Sequence, residues 1–327
     1  MSEEHDALRS AVRKMLAGAS ARSGHGTGLW QRLCTEIGVA GLTIPEQWGG
    51  SGATLLEALV VLEELGRTLT PAPMLGGLLG TQALLDSGNT NVCARLLPEV
   101  CSGERIVGVS WDGTVIDGFT DLVAVSEGSL FQVDPESRRG LPALDLTRQR
   151  SAVLSGSALS GSALSGSALS GSVAVRLGPV SADRLRDVAC VALAAEQVGA
   201  ASRALELTVE YAKTRVQFGR PIGAFQVLQH RMAESHVRTE AARSACWTAA
   251  EALVASAPEA SHLAAVAKVW CSETFREVAA EMVQVHGGIA ITWEHDAHLY
   301  LRRAWDAAQL FGSPQQHLNR VAEALLA

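Results

Sequence analysis

The chain has little positive charge, and it lacks features that mark several large classes of protein. Its 27 lysine and arginine residues face 34 aspartate and glutamate residues, for a formal net charge of −7. A general nucleic-acid-binding surface needs a basic face, so this balance argues against one. No apolar run approaches the roughly 20 residues that span a bilayer, and the N-terminal segment is charged and amphipathic rather than signal-like. We therefore expect a soluble, cytoplasmic protein that binds neither nucleic acid nor membrane.

The six cysteines are scattered, with no Cys-x-x-Cys pair and no Cys–His cluster at the spacing of a metal site. Several lie in apolar helical sequence, as Cys190 does, which predicts buried, reduced thiols. His230 and His236 are poorly spaced for a shared metal, and nothing near His295 and His298 completes a site, so no metal is expected. The sequence also contains no G-x-S-x-G, P-loop or G-x-G-x-x-G motif.

Hydrophobic residues make up 47% of the chain, which is enough to bury a large core. In residues 1–105 they follow helical spacing between glycine- and proline-rich breaks, and this predicts an N-terminal helical domain. The segment from Leu56 to Leu69 places its apolar residues near one face of a helix. Thr54 and Glu57 match a capping box before that segment, after a turn-rich loop of sequence GLTIPEQWGGSGAT.

Residues 106–180 have a different pattern, which is typical of a small β domain. The segments IVGVSW, DLVAVS and SLFQVD alternate apolar and polar residues and are bounded by Asp-Gly or Glu-Gly pairs, which predicts short antiparallel strands. An LSGSA repeat then runs through residues 155–172, and its period fits neither a strand nor a helix. It is interpreted as a flexible or hairpin-extending insert.

Residues 181–327 are again helical, and they predict a C-terminal four-helix bundle. Long helices with short connections favour antiparallel neighbours. The pair Gly287 and Gly288 is expected to end the third helix as a left-handed cap. The predicted fold class is mainly α with a small β domain between two helical parts. The helices expected here are Asp183–Thr214, Ala224–Ala255, Glu259–Val285, Asp296–Gln309 and Pro314–Leu326.

Two corners between the long helices carry polar groups that a plain bundle does not need. The first is RVQFGRPIGAFQVLQH, from Arg215 to His230, and the second is QVHGGIA, from Gln284 to Ala290. An arginine beside a new helix N-terminus suits a phosphate or pyrophosphate. Glycines after a glutamine let a flat sugar or base lie against the main chain. The residues alone leave open both a ligand site and ordinary helix-corner chemistry.

The paired motifs R-x-x-F-G-x-P-I-x-x-F-Q-x-x-Q and Q-x-x-G-G resemble those of the acyl-CoA dehydrogenase family, and the IPEQWGGSG loop is similar to that family's N-terminal domain. The resemblance covers nearly the whole chain. It implies a fold of helical domain, β domain and four-helix bundle. It also implies FAD and removal of hydrogens from the α and β carbons of an acyl-CoA thioester. A carboxylate takes the α proton, and the β hydrogen leaves as hydride to the flavin.

In that family the bundles pair into dimers, and usually into dimers of dimers. Both motifs of one subunit hold the pyrophosphate and adenosine end of the FAD seated in its neighbour. The resemblance therefore implies cofactor-binding roles for two sets of positions in this chain. They are Arg215, Val216, Gln217, Phe218, Phe225 and Gln226 in the first corner, and Gln284, Val285, His286, Gly287 and Gly288 in the second.

The chain departs from the family where the general base should lie. When the segment that begins at Tyr300 is aligned with the family's sequence, Phe311 stands at the position of the usual glutamate, and Gly312 and Ser313 follow it. Some members carry the base on the first long helix of the bundle, and that position is Ala189 here. Neither side chain can accept a proton, so no catalytic residue is predicted.

Two other carboxylates are weaker candidates for a functional role. Glu196 lies on the same helix face as Ala189, two turns further on, so it could be a displaced base. An ordinary paired or solvated helix glutamate is the commoner alternative. Asp306 is expected to form an ion pair with Arg302 or Arg303.

The β domain departs from the family as well. The sequence lacks the Thr-Glu-Pro…Gly-Ser-Asp stretch and the Gly-x-Lys-x-x-Ile strand that bind the flavin ring and shape the acyl pocket. The chain therefore resembles the short, base-lacking subunit of heteromeric, steroid-type acyl-CoA dehydrogenases. Such a subunit shares FAD with a homologous catalytic partner, in a heterodimer or heterotetramer. Two alternatives stay open: a scaffold of this fold without FAD, and a self-sufficient dehydrogenase with a displaced base.

Overall fold

The computed structural model describes residues 3–19, 21–22, 27–116, 118–154 and 175–326. The LSGSA insert and the prediction made for it lie outside these residues. In the described part, helices precede and follow a block of short strands, as the hydrophobic patterns predict. The α-helices are α1 (Glu3–Met15), α2 (Thr27–Arg32), α3 (Leu55–Thr68), α4 (Met74–Asp86), α5 (Thr90–Cys101), α6 (Ala182–Thr214), α7 (Gln226–Val254), α8 (Ala260–His286), α9 (Ala297–Gln309) and α10 (Pro314–Leu326). The strands are β1 (Val107–Ser110), β2 (Thr114–Ile116), β3 (Asp121–Ser126), β4 (Ser129–Val133), β5 (Arg138–Leu141), β6 (Arg150–Val153), β7 (Val175–Pro179), β8 (Val216–Gln217) and β9 (Arg220–Pro221).

Helix α3 begins at the predicted capping box. The Thr54 side-chain oxygen accepts from the Leu56 N–H at 3.1 Å, and the Thr54 N–H donates to a Glu57 carboxylate oxygen at 2.8 Å. These two bonds satisfy backbone donors that the first turn of a helix otherwise leaves free. The prediction of this helix start is therefore confirmed.

Two glycines bring α3 against α6, the first helix of the bundle. A Cβ built on Gly66 would lie 2.1 Å from the Glu196 carbonyl oxygen, and one built on Gly199 would lie 1.9 Å from the Glu63 carbonyl oxygen. No side chain tolerates such distances, so only glycine permits this spacing. The N-terminal helices and the bundle are thus packed with their backbones in contact.

The strands β1 to β7 form two small sheets, with the orders β1-β3-β4-β7 and β2-β6-β5. The antiparallel pairing predicted for DLVAVS and SLFQVD is confirmed, since β3 and β4 form a hairpin through Glu127 and Gly128, both at positive φ. The same prediction is wrong for IVGVSW, because β1 runs parallel to β3. Between β1 and β3 the chain forms β2, which belongs to the second sheet. Because this connection crosses over from one end of the strands to the other, β1 and β3 become parallel neighbours.

The long C-terminal helices match the predicted bundle. α6, α7 and α8 begin and end within two residues of the expected bounds, and they pack on one another. The Ser181 hydroxyl caps α6 by accepting from the Arg184 N–H at 3.2 Å. Gly287 follows α8 with φ 64° and ψ −141°, so the prediction of a left-handed helical cap is wrong. Its extended backbone at positive φ is one that glycine alone adopts readily.

One apolar cluster runs from the N-terminal helices through β1, β3 and β4 to α6, α7 and α8. By length and composition α6 could cross a membrane, but 94% of its most apolar window is buried inside the protein. Five of the six cysteines are buried and Cys101 is partly buried, as the sequence predicts for apolar thiols. Because the three predicted segments share this core, their domain boundaries stay a prediction.

Candidate functional site

The first predicted corner folds as a tight hairpin between α6 and α7. Strands β8 and β9 pair antiparallel, with Gln217 opposite Arg220. The turn residues Phe218 and Gly219 both have positive φ, 53° and 77°, as in a two-residue type I′ turn. A phenylalanine in this conformation is strained, and its side chain is 91% exposed. Strain together with exposure makes the hairpin tip a candidate contact surface.

Arg220 and Phe225 fix the hairpin to the start of α7. The Arg220 guanidinium lies over the Phe225 ring, 4.2 Å from its centroid. The rings of Phe218 and Phe225 meet edge-on, with centroids 6.2 Å apart. The tip of the hairpin is therefore held in place by its own side chains.

The foot of this hairpin offers donors for an anion. Helix α7 begins at Gln226 with no side-chain cap, so the N–H groups of Gln226 and Val227 remain available. Arg215 lies at the other end of the hairpin, where its carbonyl oxygen accepts from the Ile222 N–H at 2.8 Å. The Arg215 side chain is exposed and takes part in no salt bridge with the described residues. The side chains of Val216 and Gln226 are exposed as well.

The second predicted corner lies at the end of α8. Gln284 is exposed, whereas Val285 and His286 are buried in the bundle. A Cβ added to Gly287 or Gly288 would meet no atom within 4 Å, so this backbone faces open space. A ligand could lie directly against it, since neither glycine has a side chain in the way. Gln284 and the two glycines are thus placed for ligand contact, and the other two residues are placed for packing.

His286 is held by one hydrogen bond and by two neighbouring rings. Its Nδ1 donates to the Met282 carbonyl oxygen at 2.8 Å. Its ring stacks on Tyr211 of α6, with centroids 4.3 Å apart, and His295 lies at 4.5 Å. Burial lowers the pKa of His286, the Met282 carbonyl opposes this, and the nearby His295 lowers the pKa further. The His286 ring is therefore neutral at neutral pH.

Tyr211 joins the two corners, which lie far apart in the sequence. It lies one helical turn before Arg215, and its carbonyl oxygen accepts from the Arg215 N–H at 2.9 Å. Its hydroxyl donates to the His286 carbonyl oxygen at 3.4 Å. The motifs predict each corner but not this contact. An aromatic residue one turn before the motif arginine is the only local signal for it.

Large apolar side chains are exposed at both corners. Phe218 lies at the tip of the hairpin, and Ile289, Ile291 and Trp293 follow the second corner. Exposed apolar groups gathered in one region usually mark a surface that binds another molecule. The two corners therefore combine an unpaired arginine, Arg215, with available N–H groups, open backbone and exposed apolar side chains, which suits an anionic nucleotide and a protein partner.

The positions aligned with the family's bases are filled by apolar groups. Phe311 lies in the loop between α9 and α10 at φ 61°, and its ring stacks on Trp111 with centroids 5.3 Å apart. Ala189 is completely buried in α6. The cavity beside the Phe311 stack has a volume of about 160 Å³. Pockets for drug-sized ligands measure about 300–1,000 Å³, so this cavity is small for a flavin ring together with a thioester.

Buried polar groups hold the Phe311 loop in place. Lys268 is fully buried, and its ammonium donates to the carbonyl oxygens of Ala307 and Ala308 at 3.2 and 3.0 Å, which caps the end of α9. Burial lowers the pKa of Lys268 to about 8. His317 Nε2 donates to the Phe311 carbonyl oxygen at 2.9 Å. The closed arrangement around Phe311 is therefore anchored to the bundle from two sides.

Glu196 lies in a buried network of ion pairs. Arg148, which follows β5, donates to both carboxylate oxygens of Glu196 at 2.6 and 2.7 Å, and Arg303 of α9 binds the same carboxylate. Arg303 also pairs with Asp145. Burial alone would raise the pKa of Asp145, but the charges of Arg303 and Arg148 outweigh it, and the pKa is lowered. Glu196 thus links the strand region to the bundle, and the displaced-base hypothesis gains no support.

The ion pair predicted for Asp306 is wrong. Asp306 pairs with Arg150 of β6 at 3.0 Å, rather than with Arg302 or Arg303. Arg303 is engaged in the buried network, and Arg302 lies over the Trp293 ring, 5.8 Å from its centroid. Among the residues that the structure describes, no group of three or more His, Cys, Asp or Glu side chains could hold a metal ion.

The sequence matches known acyl-CoA dehydrogenases along most of its length. The family model "Acyl-CoA dehydrogenase, N-terminal domain" matches residues 2–104, and "Acyl-CoA dehydrogenase, C-terminal domain" matches residues 187–326. Acyl-CoA dehydrogenase IpdE2 of Mycolicibacterium smegmatis is 40% identical over 334 residues, which cover 98% of each chain. Acyl-CoA dehydrogenase FadE34 of Mycobacterium tuberculosis is 34% identical over 293 residues, which cover 87% of this chain and 40% of that protein.

Solved structures match the fold as well. A variant of the Tcur3481–Tcur3483 steroid ACAD has a TM-score of 0.84 and 27% identity, covering 99% of this chain and 98% of that chain. The ChsE4–ChsE5 complex from Mycobacterium tuberculosis has a TM-score of 0.84 and 25% identity, covering 100% and 98%. The predicted fold class, with a small β domain between two helical parts, is confirmed by these matches. The chain belongs to the acyl-CoA dehydrogenase family.

Proposed function

We propose that this chain is the non-catalytic subunit of a heteromeric, FAD-dependent acyl-CoA dehydrogenase. Residues Arg215–Gln226 and Gln284–Gly288, termed the nucleotide corner below, bind the pyrophosphate and adenosine end of an FAD carried by a homologous subunit. That partner supplies the base, the flavin-ring contacts and the acyl-CoA pocket. One contrast carries the proposal: the nucleotide corner is open, whereas the aligned base position is closed by the Phe311–Trp111 stack.

Arg215 and the start of α7 supply groups that suit a pyrophosphate. A guanidinium donates two parallel hydrogen bonds to one phosphate, and the free N–H groups of a helix start add partial positive charge. Open backbone at Gly287 and Gly288 lets an adenosine approach closely. FAD, when bound, supplies the acceptor for the hydride from the acyl β carbon. The residues of this chain bind and orient its nucleotide end and move no proton.

At its own base position the chain excludes substrate. Phe311 and Trp111 occupy the space with rings that accept no proton. Glu196, the candidate for a displaced base, has both oxygens bound by Arg148. A base for the α proton therefore has to come from another subunit.

The exposed apolar residues Phe218, Ile291 and Trp293 support a protein partner. Two similar solved structures are named as pairs of different chains, Tcur3481–Tcur3483 and ChsE4–ChsE5. The first of these is named a steroid ACAD. These names favour a homologous acyl-CoA dehydrogenase chain as the partner, and a bulky, steroid-derived acyl-CoA as the substrate that the partner binds.

Arg215→Ala tests the proposal in the complex purified after co-expression with the partner. Loss of a hydrogen bond to a charged group costs about 1.5–3 kcal/mol, so the apparent Kd for FAD should rise about 10- to 100-fold. Flavin absorbance after gel filtration measures retention, and the Tm of each variant reports folding.

Arg32→Ala is the matched control for this substitution. Arg32 is also exposed, and it pairs with Glu36 one turn away in the N-terminal helices. Its loss should leave FAD retention unchanged. If the two variants retain FAD equally well, the proposal that the nucleotide corner binds FAD is wrong.

A further inference from the structure

Three aromatic rings from three separate elements meet beside the nucleotide corner. Tyr211 belongs to the last turn of α6, His286 is the last residue of α8, and His295 lies in the turn before α9. The ring centroids of Tyr211 and His286 are 4.3 Å apart, and those of His286 and His295 are 4.5 Å apart. These rings tie together the helix ends that carry both halves of the corner.

Each ring is also fixed by a hydrogen bond. His286 Nδ1 donates to the Met282 carbonyl oxygen at 2.8 Å, which sets the angle of its ring on α8. His295 Nδ1 accepts from the Ala297 N–H at 3.1 Å, at the start of α9. The Tyr211 hydroxyl donates to the His286 carbonyl oxygen at 3.4 Å. Because the rings are both in contact and hydrogen-bonded, the ends of α6 and α8 and the start of α9 are held in one arrangement.

We propose that Tyr211 and His295 are positioning residues for the FAD nucleotide, and that they act through His286 without touching the nucleotide. The inference rests on the proposed function. Tyr211 fixes the phosphate-binding side of the corner, because its carbonyl oxygen holds the Arg215 N–H at 2.9 Å. His286 directly precedes Gly287, so the same stack fixes the open backbone of the second corner.

The stack is suited to neutral rings. Burial lowers the pKa of His286 from its ordinary value of 6.5. The native state therefore resists protonation, and the stabilisation is complete above pH 6.5 and is lost as the pH falls below it. The groups that face the stack from its neighbouring elements are Tyr211, the Met282 carbonyl, His295, and Asp296 with its partner Arg22.

Substitutions at Tyr211 and His295 test the inference in the complex at pH 8. Tyr211→Leu removes the ring and should raise the apparent Kd for FAD about 3- to 10-fold, the range for loss of an aromatic pair. Tyr211→Phe keeps the ring and should stay within about two-fold of wild type, because the lost hydroxyl contact is long. His295→Asn removes the ring but keeps an acceptor for the Ala297 N–H, and should behave like Tyr211→Leu.

The lone chain gives a second readout, which tests directly whether Tyr211 acts on His286. The pKa of His286, followed by imidazole NMR, should lie below 6.5 in wild type. It should move back toward this value in Tyr211→Leu, because the ring loses its cover. Cys93→Ala, in the N-terminal core, loosens packing far along the chain from the corner and should leave the His286 pKa unchanged.

Arg215→Ala separates a failure of this inference from a failure of the proposed function. If Arg215→Ala releases FAD while Tyr211→Leu and His295→Asn retain it like wild type, the positioning role is wrong and the proposed function stands. If none of the three variants releases FAD, the nucleotide corner does not bind FAD, and both the proposed function and this inference are wrong. If Tyr211→Leu does not assemble, an unmoved His286 pKa in the lone chain overturns the inference.

Discussion

The nucleotide corner and the aligned base position both lie at helix ends, and they differ in what covers their residues with positive φ. In the corner, Phe218 and Gly287 have positive φ and face outward. At the base position Phe311 also has positive φ, but its ring packs on Trp111 and its carbonyl is bound by His317. Strained backbone persists only where its surroundings hold it. The first loop is therefore suited to contact with a partner, and the second is suited to closure.

The arginines of the two regions also differ in whether they have carboxylate partners. Arg215 and Arg220 in the corner are exposed, with no carboxylate partner among the described residues. Arg303 of α9, the helix that precedes the Phe311 loop, is buried between Glu196 and Asp145. An unpaired surface cation is available to a ligand, whereas removing one member of a buried ion pair leaves an uncompensated charge. The comparison predicts that substitutions in the two regions act on different quantities, FAD retention in one and stability in the other.

The largest expected effect is the loss of stability on Arg303→Met. This change removes the ion-pair partner of Asp145 and leaves Glu196 with Arg148 alone, and breaking a buried pair costs about 3–5 kcal/mol. Arg302→Met is the neighbouring control, and it should cost less than about 1 kcal/mol because it removes only a distant contact with the Trp293 ring. Urea unfolding of the lone chain measures both. Similar small losses would show that the network does not hold the strand region to the bundle.

Phe311→Glu restores a carboxylate at the aligned base position, and it should still produce no activity. The chain lacks its own flavin-ring contacts, and the substitution breaks the Trp111 stack and places a charge in apolar surroundings, at a cost of about 2–4 kcal/mol. Phe311→Leu is the control, which keeps an apolar side chain and should cost less. An acyl-CoA dehydrogenation assay of the lone chain with added FAD checks the first result, and Tm checks the second. Turnover by Phe311→Glu alone would mean that the position is not closed.

High pH should weaken the closed region more than the corner. Burial raises the pKa of Cys190 and Cys271 from 9.0 to about 12. The native state keeps these thiol protons while the unfolded state loses them, so the stabilisation is complete below pH 9 and falls as the pH rises further. Lys268, with its pKa lowered from 10.5 to about 8, acts in the opposite direction between those two values. Two thiols outweigh one lysine above pH 9, so the net stability should fall there.

Cys190→Ala tests whether a buried thiol causes the loss of stability that is predicted above pH 9. The Cys190 sulfur lies 3.7 Å from His317 Nε2, beneath the Phe311 loop. Removing this thiol should make the fall in unfolding free energy between pH 9 and pH 10.5 shallower. Chemical denaturation across this range measures the slope. An unchanged slope in Cys190→Ala would place the alkaline sensitivity elsewhere in the chain.

The smallest effect on the lone chain is expected from Phe218→Asn at the hairpin tip. Asparagine tolerates positive φ better than phenylalanine, so stability should stay the same or rise by up to about 1 kcal/mol. The complex should nevertheless weaken, because the exposed ring is lost from the proposed interface. Analytical ultracentrifugation with the partner measures this. Unchanged assembly would mean that the strained tip does not contact the partner.

The helices could be predicted from the sequence because each apolar face is a local property. Spacing alone locates α3, α6, α7 and α8 within two residues of their observed bounds. The pairing of β1 with β3 is parallel because the chain passes through β2 in another sheet, and no local pattern encodes that crossover. The sequence correctly predicts that Gly287 ends α8, but it does not predict the backbone conformation of this residue. Glycine adopts several conformations at positive φ, and the sequence does not select one of them.

The candidate site could be predicted only in part. The motifs locate the nucleotide corner, although they do not show that Val285 and His286 are buried, and FAD binding there stays a prediction. The pair Arg148–Glu196 spans 48 residues and the pair Arg150–Asp306 spans 156. Partners so far apart are chosen by the fold, so a rule based on nearby helical spacing misassigns Asp306.

The flavin content of this chain, purified alone and with its homologous partner, tests the central claim most directly. The account predicts a colourless lone chain and a yellow complex with one FAD for each pair of unlike chains. A stable complex without FAD would instead support a scaffold of the same fold. A lone chain that retains FAD and dehydrogenates an acyl-CoA would contradict the account.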